Sequence, residues 1–162
     1  KMLDELGAAV AFGYPKGLRA WFREKYPKLS LYFNHQSIGY LKGIKPQLHS
    51  KLPSSLYLSL NNHEVQIAGF NLERLAIYNQ FNFSDAKHLI KLMLLTIQQF
   101  SQDGQSTPIL IHGVKEKVDL NMPVIKKYFK KIELGKRPDG VVMHPIFNEL
   151  ETQEYVEILA NL

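Results

Sequence analysis

The segment "LYLSLNNHEVQIAGFNLERLAIYNQFNF", residues 56–83, limits the fold of this chain more than any other. Leu56, Leu58 and Leu60 alternate with other residues, and apolar residues return with the same period after the turns "NNHE" and "FNLER". A period of two is typical of strands with one buried face. We therefore predict three consecutive strands that form an antiparallel meander.

The rest of the chain to residue 162 alternates helical and strand patterns. Helix 85–101 is apolar around most of its circumference, which predicts a central buried helix with Leu89, Met93 and Ile97 in the core. "TPILIHG" and "KIEL" are predicted strands, separated by a helix that begins at Asp119 or Asn121. A last helix is predicted within 143–162. The order strand-strand-strand-helix-strand-helix-strand-helix indicates an α/β mixed sheet with helices on both faces, in an actin-like or ribonuclease-H-like lobe.

Residues 1–50 show a shorter series of elements. "GAAVAFGYP" (7–15) and "KLSLYFNH" are predicted strands, "KGLRAWFREKYP" is a predicted helix, and 36–43 is a second short helix. This strand-helix-strand-helix order is the end of a similar lobe. We expect residues 1–50 to be the C-terminal part of a first α/β lobe and residues 51–162 to be the second lobe.

Composition excludes several classes of function. The 162 residues include no cysteine, which excludes a disulfide framework, a thiol nucleophile and a thiolate zinc site. The absence of cysteine fits a reducing compartment, and we expect a cytoplasmic protein. No apolar run reaches 18 residues, so no membrane span is predicted. The six histidines show no metal-binding spacing and no G-x-S-x-G motif occurs. No catalytic residue, metal ligand or cofactor is predicted, and the chain is more like a binding protein than an enzyme.

The long run from 56 to 100, then "TPILIHG" and "IKKYFKKIELGKRP", resembles the bacterial family called domain of unknown function 3822. Members of that family look like proteins of the actin-like ATPase fold and have no assigned activity. The resemblance covers most of residues 8–162 and lies in the pattern and order of elements. It implies that about an N-terminal third of a full member is absent from this sequence.

The resemblance directs attention to two strand ends where an actin-like ATPase holds its nucleotide. Such a site needs an acidic residue for Mg²⁺ and glycines that let backbone amides approach phosphate. The first strand end carries Asn61 and Asn62, which a tight hairpin explains equally well. The second carries the single Gly113, followed by Lys115. These four residues are the candidate nucleotide-binding positions. Nuclease chemistry is excluded because the positions that would hold its metals are not acidic.

Three hypotheses about function follow. The first is a non-catalytic scaffold or protein-binding module, which could form a homodimer. The second is a nucleotide-binding or ATPase-like protein whose phosphate site lies on a missing N-terminal part. The third is nucleic-acid binding through a basic helix that carries Lys126, Lys127, Lys130 and Lys131. We expect no nucleic-acid partner, because these lysines are explained as the wet face of a helix and no aromatic residue interleaves with them there.

Overall fold

The chain begins with two short strands and two helices. The computed structural model describes residues 1–48, 54–100, 106–137, 144–147, 149–151 and 153–160. Strands β1 (Met2–Leu3) and β2 (Ala8–Ala9) pair as an antiparallel hairpin around a 3-10 turn. Helices α1 (Lys16–Lys25) and α2 (Gln36–Ile44) follow, and a second 3-10 turn at Lys45–Gln47 continues α2. The segment that leads to the main sheet, 49–53, lies outside the described residues.

The main sheet has five strands. The elements after α2 are, in order, β3 (Ser55–Asn61), β4 (Glu64–Asn71), β5 (Arg74–Asn82), α3 (Ala86–Phe100), β6 (Ile109–Gly113), α4 (Lys115–Tyr128), β7 (Ile132–Leu134) and α5 (Val156–Leu159). The strand order is β5-β4-β3-β6-β7. β3, β4 and β5 form the predicted antiparallel meander, whereas β6 is parallel to both β3 and β7. The predicted mixed sheet and its order of elements are confirmed.

The first face of the sheet is covered by α3 and α4. Leu56, Leu58 and Leu60 of β3 point to this face and pack in one cluster with Leu89 and Met93 of α3. Ile97 completes the core side of α3, so the predicted core positions of this helix are all buried. The prediction that α3 is buried around most of its circumference needs a correction, because the apolar residues Leu94 and Leu95 are exposed.

The second face of the sheet is covered by α2, α5 and the N-terminal hairpin. Tyr57 of β3 and Phe70 of β4 point to this face and pack with Ile38 and Leu41 of α2, while Val156 of α5 closes the same cluster. Alternate residues of β3 therefore enter two different cores, one on each side of the sheet. Helices on both faces, as predicted, follow from this arrangement.

Two predicted strands in the first fifty residues are corrected. The strand predicted over 7–15 contains only Ala8–Ala9, and the strand predicted in "KLSLYFNH" does not form. The first was predicted from a short apolar run and the second from its alternating pattern, but a strand also needs a neighbour to accept its backbone hydrogen bonds. Within the described residues, no strand lies beside 11–15 or 29–34. Both segments therefore run without regular secondary structure.

Two helix predictions near the C-terminus are also corrected. Helix α4 begins at Lys115 instead of Asp119 or Asn121, which places Pro123 inside the helix and not in its first turn. The long helix predicted over 143–162 does not form in the described part of that segment. A 3-10 turn at Pro145–Phe147 and the four-residue α5 take its place. The end of the predicted helix 85–101, residue 101, lies outside the described residues.

Candidate functional site at the strand ends

Two of the four candidate residues meet where β3 and β6 end. Leu60 is the register partner of Gly113 in the parallel pair, and Asn61 is the next residue of β3. Asn62 lies one residue further, exposed in the hairpin turn. Lys115 is the first residue of α4, two positions after Gly113. The fold therefore brings the candidate segments to one edge of the sheet, where open α/β sheets bind ligands.

The turn after Asn61 is an ordinary hairpin. Asn61 pairs with Glu64, which leaves Asn62 and His63 as the two central residues. Asparagine is favoured in tight hairpins because it tolerates positive φ, but that reason does not apply to Asn62. Among the described non-glycine residues, only Leu72 and Tyr155 have positive φ. The carbonyl of His63 accepts a hydrogen bond from the amide of Phe83, so the turn is tied to the end of β5.

The backbone donors at the end of β6 are already used. Gly113 has a φ of +126°, and its amide donates to the carbonyl of Gln153 over 2.9 Å. The next amide, that of Val114, donates to the carbonyl of Leu60 over 3.1 Å. Gln153 is itself buried, 3% exposed, so the segment before α5 lies directly on the strand end. A phosphate at this place would have to displace that segment before it could reach the Gly113 amide.

A row of buried polar residues crosses the sheet beside this edge. Ser59 of β3 is the register partner of both Gln66 of β4 and His112 of β6, so the three side chains share one face. All three are at most 2% exposed. The Ser59 hydroxyl, Gln66 Nε2 and His112 Nδ1 have no hydrogen-bond partner among the described residues, and neither does the Tyr40 hydroxyl from α2. Unpartnered buried polar atoms are rare in folded proteins, and these four are able to bind a water molecule or a polar ligand group.

His112 is held by Gln47. Its Nε2 lies 3.1 Å from Gln47 Oε1, and the Gln47 amide also pairs with both backbone groups of Lys136. This double pairing fixes the orientation of the amide, so Oε1 accepts and His112 Nε2 must carry the proton. Burial lowers the pKa of His112 to about 4, from an ordinary value of 6.5. The imidazole is therefore neutral at pH 7.

Burial also shifts the pKa of Tyr40, whose ring contacts His112 in this row. The rings of Tyr40 and His112 meet edge to face with centroids 6.1 Å apart. Burial raises the pKa of Tyr40 well above its usual range, and nearby Tyr78 and Glu157 raise it further. Tyr40 therefore keeps its proton and acts as a neutral hydrogen-bonding group. The row contains no group that is charged at neutral pH and no activated nucleophile.

Sequence reasoning missed Ser59, Gln66, Gln47 and Gln153. The pairing of Ser59 with Gln66 could have been predicted from the sequence. The hairpin turn 61–64 fixes the register of β3 and β4 and places residues 59 and 66 opposite each other. Polar residues at such facing positions in buried strands indicate a polar site. Gln47 and Gln153 had no local signal, because their partners lie far away in the sequence.

The described ranges contain neither a group of metal ligands nor a membrane-spanning helix. No three histidine, aspartate or glutamate side chains there come together in a way that could hold a metal ion. None of the helices in those ranges is long and apolar enough to cross a membrane.

Only two of the four lysines of the predicted basic helix lie in a helix. Lys126 and Lys127 lie in the last turn of α4, which ends at Tyr128. Lys130 and Lys131 follow the helix and lead into β7. All four are exposed. The prediction of one continuous helical face is therefore wrong, because the helix ends before its second pair of lysines.

Comparison with protein families matches residues 1–132 to the family described as "Protein of unknown function (DUF3822)". The chain belongs to this family. The match covers the N-terminal hairpin, the meander, α3, β6 and α4, and it confirms the family resemblance of the sequence. Comparison with the curated proteins finds no match.

Among solved structures, this DUF3822 chain is similar to a Bacteroides thetaiotaomicron protein described as having an "actin-like ATPase fold and unknown function". The two share 19% sequence identity with a TM-score of 0.63, over 76% of this chain and 48% of the other. The chain thus spans about half the length of that protein. At this identity the likeness shows the fold alone, and the actin-like fold is confirmed.

Proposed function

We propose that this DUF3822 chain is a non-catalytic protein of the actin-like fold, with a degenerate nucleotide site, that acts as a scaffold or protein-binding module. The observation that carries the proposal is the hydrogen bond from the Gly113 amide to the Gln153 carbonyl. In the actin-like ATPases that the chain resembles, the loop after this strand contacts the nucleotide and carries two or more glycines, which leave its backbone open to the ligand. Here the chain itself takes up the amide.

The chemistry of the neighbouring strand end supports the same proposal. Mg²⁺ bound to a nucleotide prefers carboxylate and water oxygens. Asn61 offers only a neutral amide, and Glu64 at the other side of the turn lies within 3.1 Å of the amide of Gln80. The tight hairpin has no glycine to open its backbone toward a phosphate. This end of the sheet therefore lacks both the metal-binding charge and the free hydrogen-bond donors that phosphoryl transfer requires.

The proposed organisation keeps the two predicted units, 1–50 as the end of a first lobe and 51–162 as the second lobe. Helix α2 belongs to the first unit in sequence, yet Ile38, Leu41 and Ile44 pack on the second face of the main sheet. This helix is the element through which the two lobes would be joined. A scaffold needs such a fixed connection between the surfaces that it presents.

The test is a measurement of binding and hydrolysis with the purified protein. Isothermal titration with Mg-ATP and Mg-GTP should show no binding, and phosphate release should equal the buffer rate. Steady phosphate release that disappears in Asn61→Ala, but survives in the matched turn variant Asn71→Ala, would overturn the proposal. Circular dichroism of both variants would confirm that each is folded.

A further inference from the structure

A line of hydrogen-bonding side chains runs across the second face of the sheet, from β5 to β6. At one end the Tyr78 hydroxyl of β5 donates to Gln66 Oε1 of β4 over 2.8 Å. At the other end His112 Nε2 of β6 donates to Gln47 Oε1 over 3.1 Å. These bonds leave one atom of each inner residue unused, and neither Gln66 Nε2 nor His112 Nδ1 has a hydrogen-bond partner among the described residues. The line is therefore interrupted between β4 and β6.

Ser59 of β3 stands at the interruption. It is the register partner of both Gln66 and His112, so its strand lies one strand spacing, about 4.8 Å, from each of theirs. Its hydroxyl has no partner in the described part of the chain either. A serine side chain fills far less of the core than the ring of Tyr57, which lies on the same face two residues earlier. A small molecule above Ser59 would be within reach of both neighbouring strands.

The two inner atoms have opposite hydrogen-bonding roles. Oε1 of Gln66 already accepts from Tyr78, so the unused Nε2 is a donor. Nε2 of His112 carries the ring proton because Gln47 Oε1 accepts it, so Nδ1 of the neutral ring is an acceptor. A molecule between them must accept a hydrogen bond on the Gln66 side and donate one on the His112 side. Water does both, and an internal water typically makes about three hydrogen bonds.

We infer that one internal water molecule lies above Ser59, accepts from Gln66 Nε2 and donates to His112 Nδ1, with the Ser59 hydroxyl as its third partner. The water makes the line continuous, and each hydrogen bond along it then runs in the same direction, from Tyr78 on β5 to Gln47 after α2. Hydrogen bonds in such a chain polarise and strengthen one another. The water thus ties the antiparallel meander to the parallel strand β6 through side chains, in addition to the backbone pairing of β3 with β6.

Ions and larger molecules fit this place less well. Burial keeps the His112 ring neutral by lowering its pKa, and no other group of the row is charged at neutral pH. An ion would therefore be buried without a counter-charge, which is costly. Ser59, Gln66 and His112 are at most 2% exposed, and the ring of Tyr40 on α2 packs edge to face on His112. A molecule larger than water would have to displace Tyr40, and α2 with it.

Crystal structures at atomic resolution test the inference with three variants of the protein. The unchanged protein should show one sphere of density within hydrogen-bonding distance of Gln66 Nε2 and His112 Nδ1. Ser59→Ala removes one partner but fills no space, so the density should stay. Ser59→Val replaces the hydroxyl with two methyl groups that fill the space, so the density should be lost. Thr96→Val is the control with the density retained, because the buried Thr96 hydroxyl already donates to the Leu92 carbonyl.

Nitrogen-15 magnetic resonance of the His112 ring gives a second readout that requires no variant to fold. In the unchanged protein Nδ1 should carry no proton, and its chemical shift should be displaced from that of a free acceptor nitrogen. The inference is overturned if Nδ1 is protonated and donates to the Leu58 carbonyl, which opposes the lowering of the His112 pKa by burial. It is also overturned if the Ser59 hydroxyl bonds directly to Gln66 or His112 with no density beside it. Density that survives in Ser59→Val, or that belongs to an ion or a larger molecule, would equally contradict it.

Discussion

Gly113 lies against the backbone of Leu60 so closely that a Cβ on it would be 2.1 Å from the Leu60 carbonyl oxygen. The two residues are register partners at the ends of the parallel strands β3 and β6. The φ of +126° at Gly113 is also one that a side chain rarely adopts. The glycine at this strand end is therefore needed for close backbone packing, whether or not any ligand binds.

Replacing Gly113 with alanine should destabilise the protein by at least about 2 kcal/mol, because the strained φ and the contact with Leu60 both oppose a side chain. Gly17→Ala is the matched control. A Cβ there meets no atom within 4 Å and lies in α1, so it should be neutral or stabilising by up to about 1 kcal/mol. Urea unfolding measures both free energies. Equal urea midpoints for the two variants would contradict the close packing of Gly113 against the backbone of Leu60.

The two sides of α3 should respond differently to the same substitution. Leu89 is fully buried between α3 and the sheet, so Leu89→Ala should cost about 2–5 kcal/mol. Leu95, on the same helix, is 47% exposed, and Leu95→Ala should cost less than about 1 kcal/mol. Urea melts of the two leucine variants provide the measurement. Two equally small losses would mean that α3 is not a core helix.

The elements that the sequence predicts well are those whose pattern is local. Leu56, Leu58 and Leu60 reveal a strand by their own spacing, and the short turns then determine the antiparallel meander. The spacing of Leu89, Met93 and Ile97 likewise identifies the core side of α3. Exposure of Leu95 could not be predicted, because it depends on which neighbours cover the helix and not on the helix itself.

The predictions that failed depend on distant partners. The strand patterns near Phe12 and Phe33 are present, but pairing depends on a neighbour that the described chain does not contain. Pro123 suggested a first turn because proline is favoured there, yet the helix had already begun eight residues earlier at Lys115. In the candidate site, the contact between Gln47 and His112 joins residues 65 positions apart, and no short-range pattern encodes it.

Stability should fall below neutral pH because of His112. Its pKa is about 4 in the folded protein and 6.5 when unfolded, so the unfolded chain binds the proton more tightly. Acid therefore favours unfolding within this window, and stability is regained as the pH rises through it. Between pH 7 and pH 5 the loss from this one group should be about 2 kcal/mol.

His112→Gln is the variant that tests this effect, since glutamine can still donate to Gln47 but does not titrate. Urea unfolding at pH 7, 6 and 5 should give a clearly flatter pH dependence for the variant than for the unchanged protein. Parallel pH profiles would show that His112 is solvated or already protonated in the folded state.

The side chain of Gln47 should contribute more to the free energy of unfolding than its partial exposure suggests. Gln47→Ala removes the acceptor of His112 and both side-chain bonds to Lys136, so we expect a cost of about 1–3 kcal/mol. Gln99→Ala removes an exposed glutamine of α3 and should change stability by about 0.5 kcal/mol or less. The two variants are compared by urea unfolding, with nuclear magnetic resonance of the His112 ring as a check that Nε2 loses its partner. Equal stability of both variants would contradict the assigned role of Gln47.

The packing of α5 on α2 has a consequence for how the chain folds. A Cβ on Gly43 would be 2.6 Å from Cγ2 of Val156, so the two helices meet without a gap although the whole main sheet lies between them in the sequence. Contacts of such high contact order form late, because the loop between them must close first. During synthesis the meander, α3 and the α2 side of the second face can assemble early, but the part of that face closed by α5 stays open until Val156 has left the ribosome. For that interval the surface of α2 at Gly43 remains uncovered, and a chaperone would have its longest opportunity to bind there.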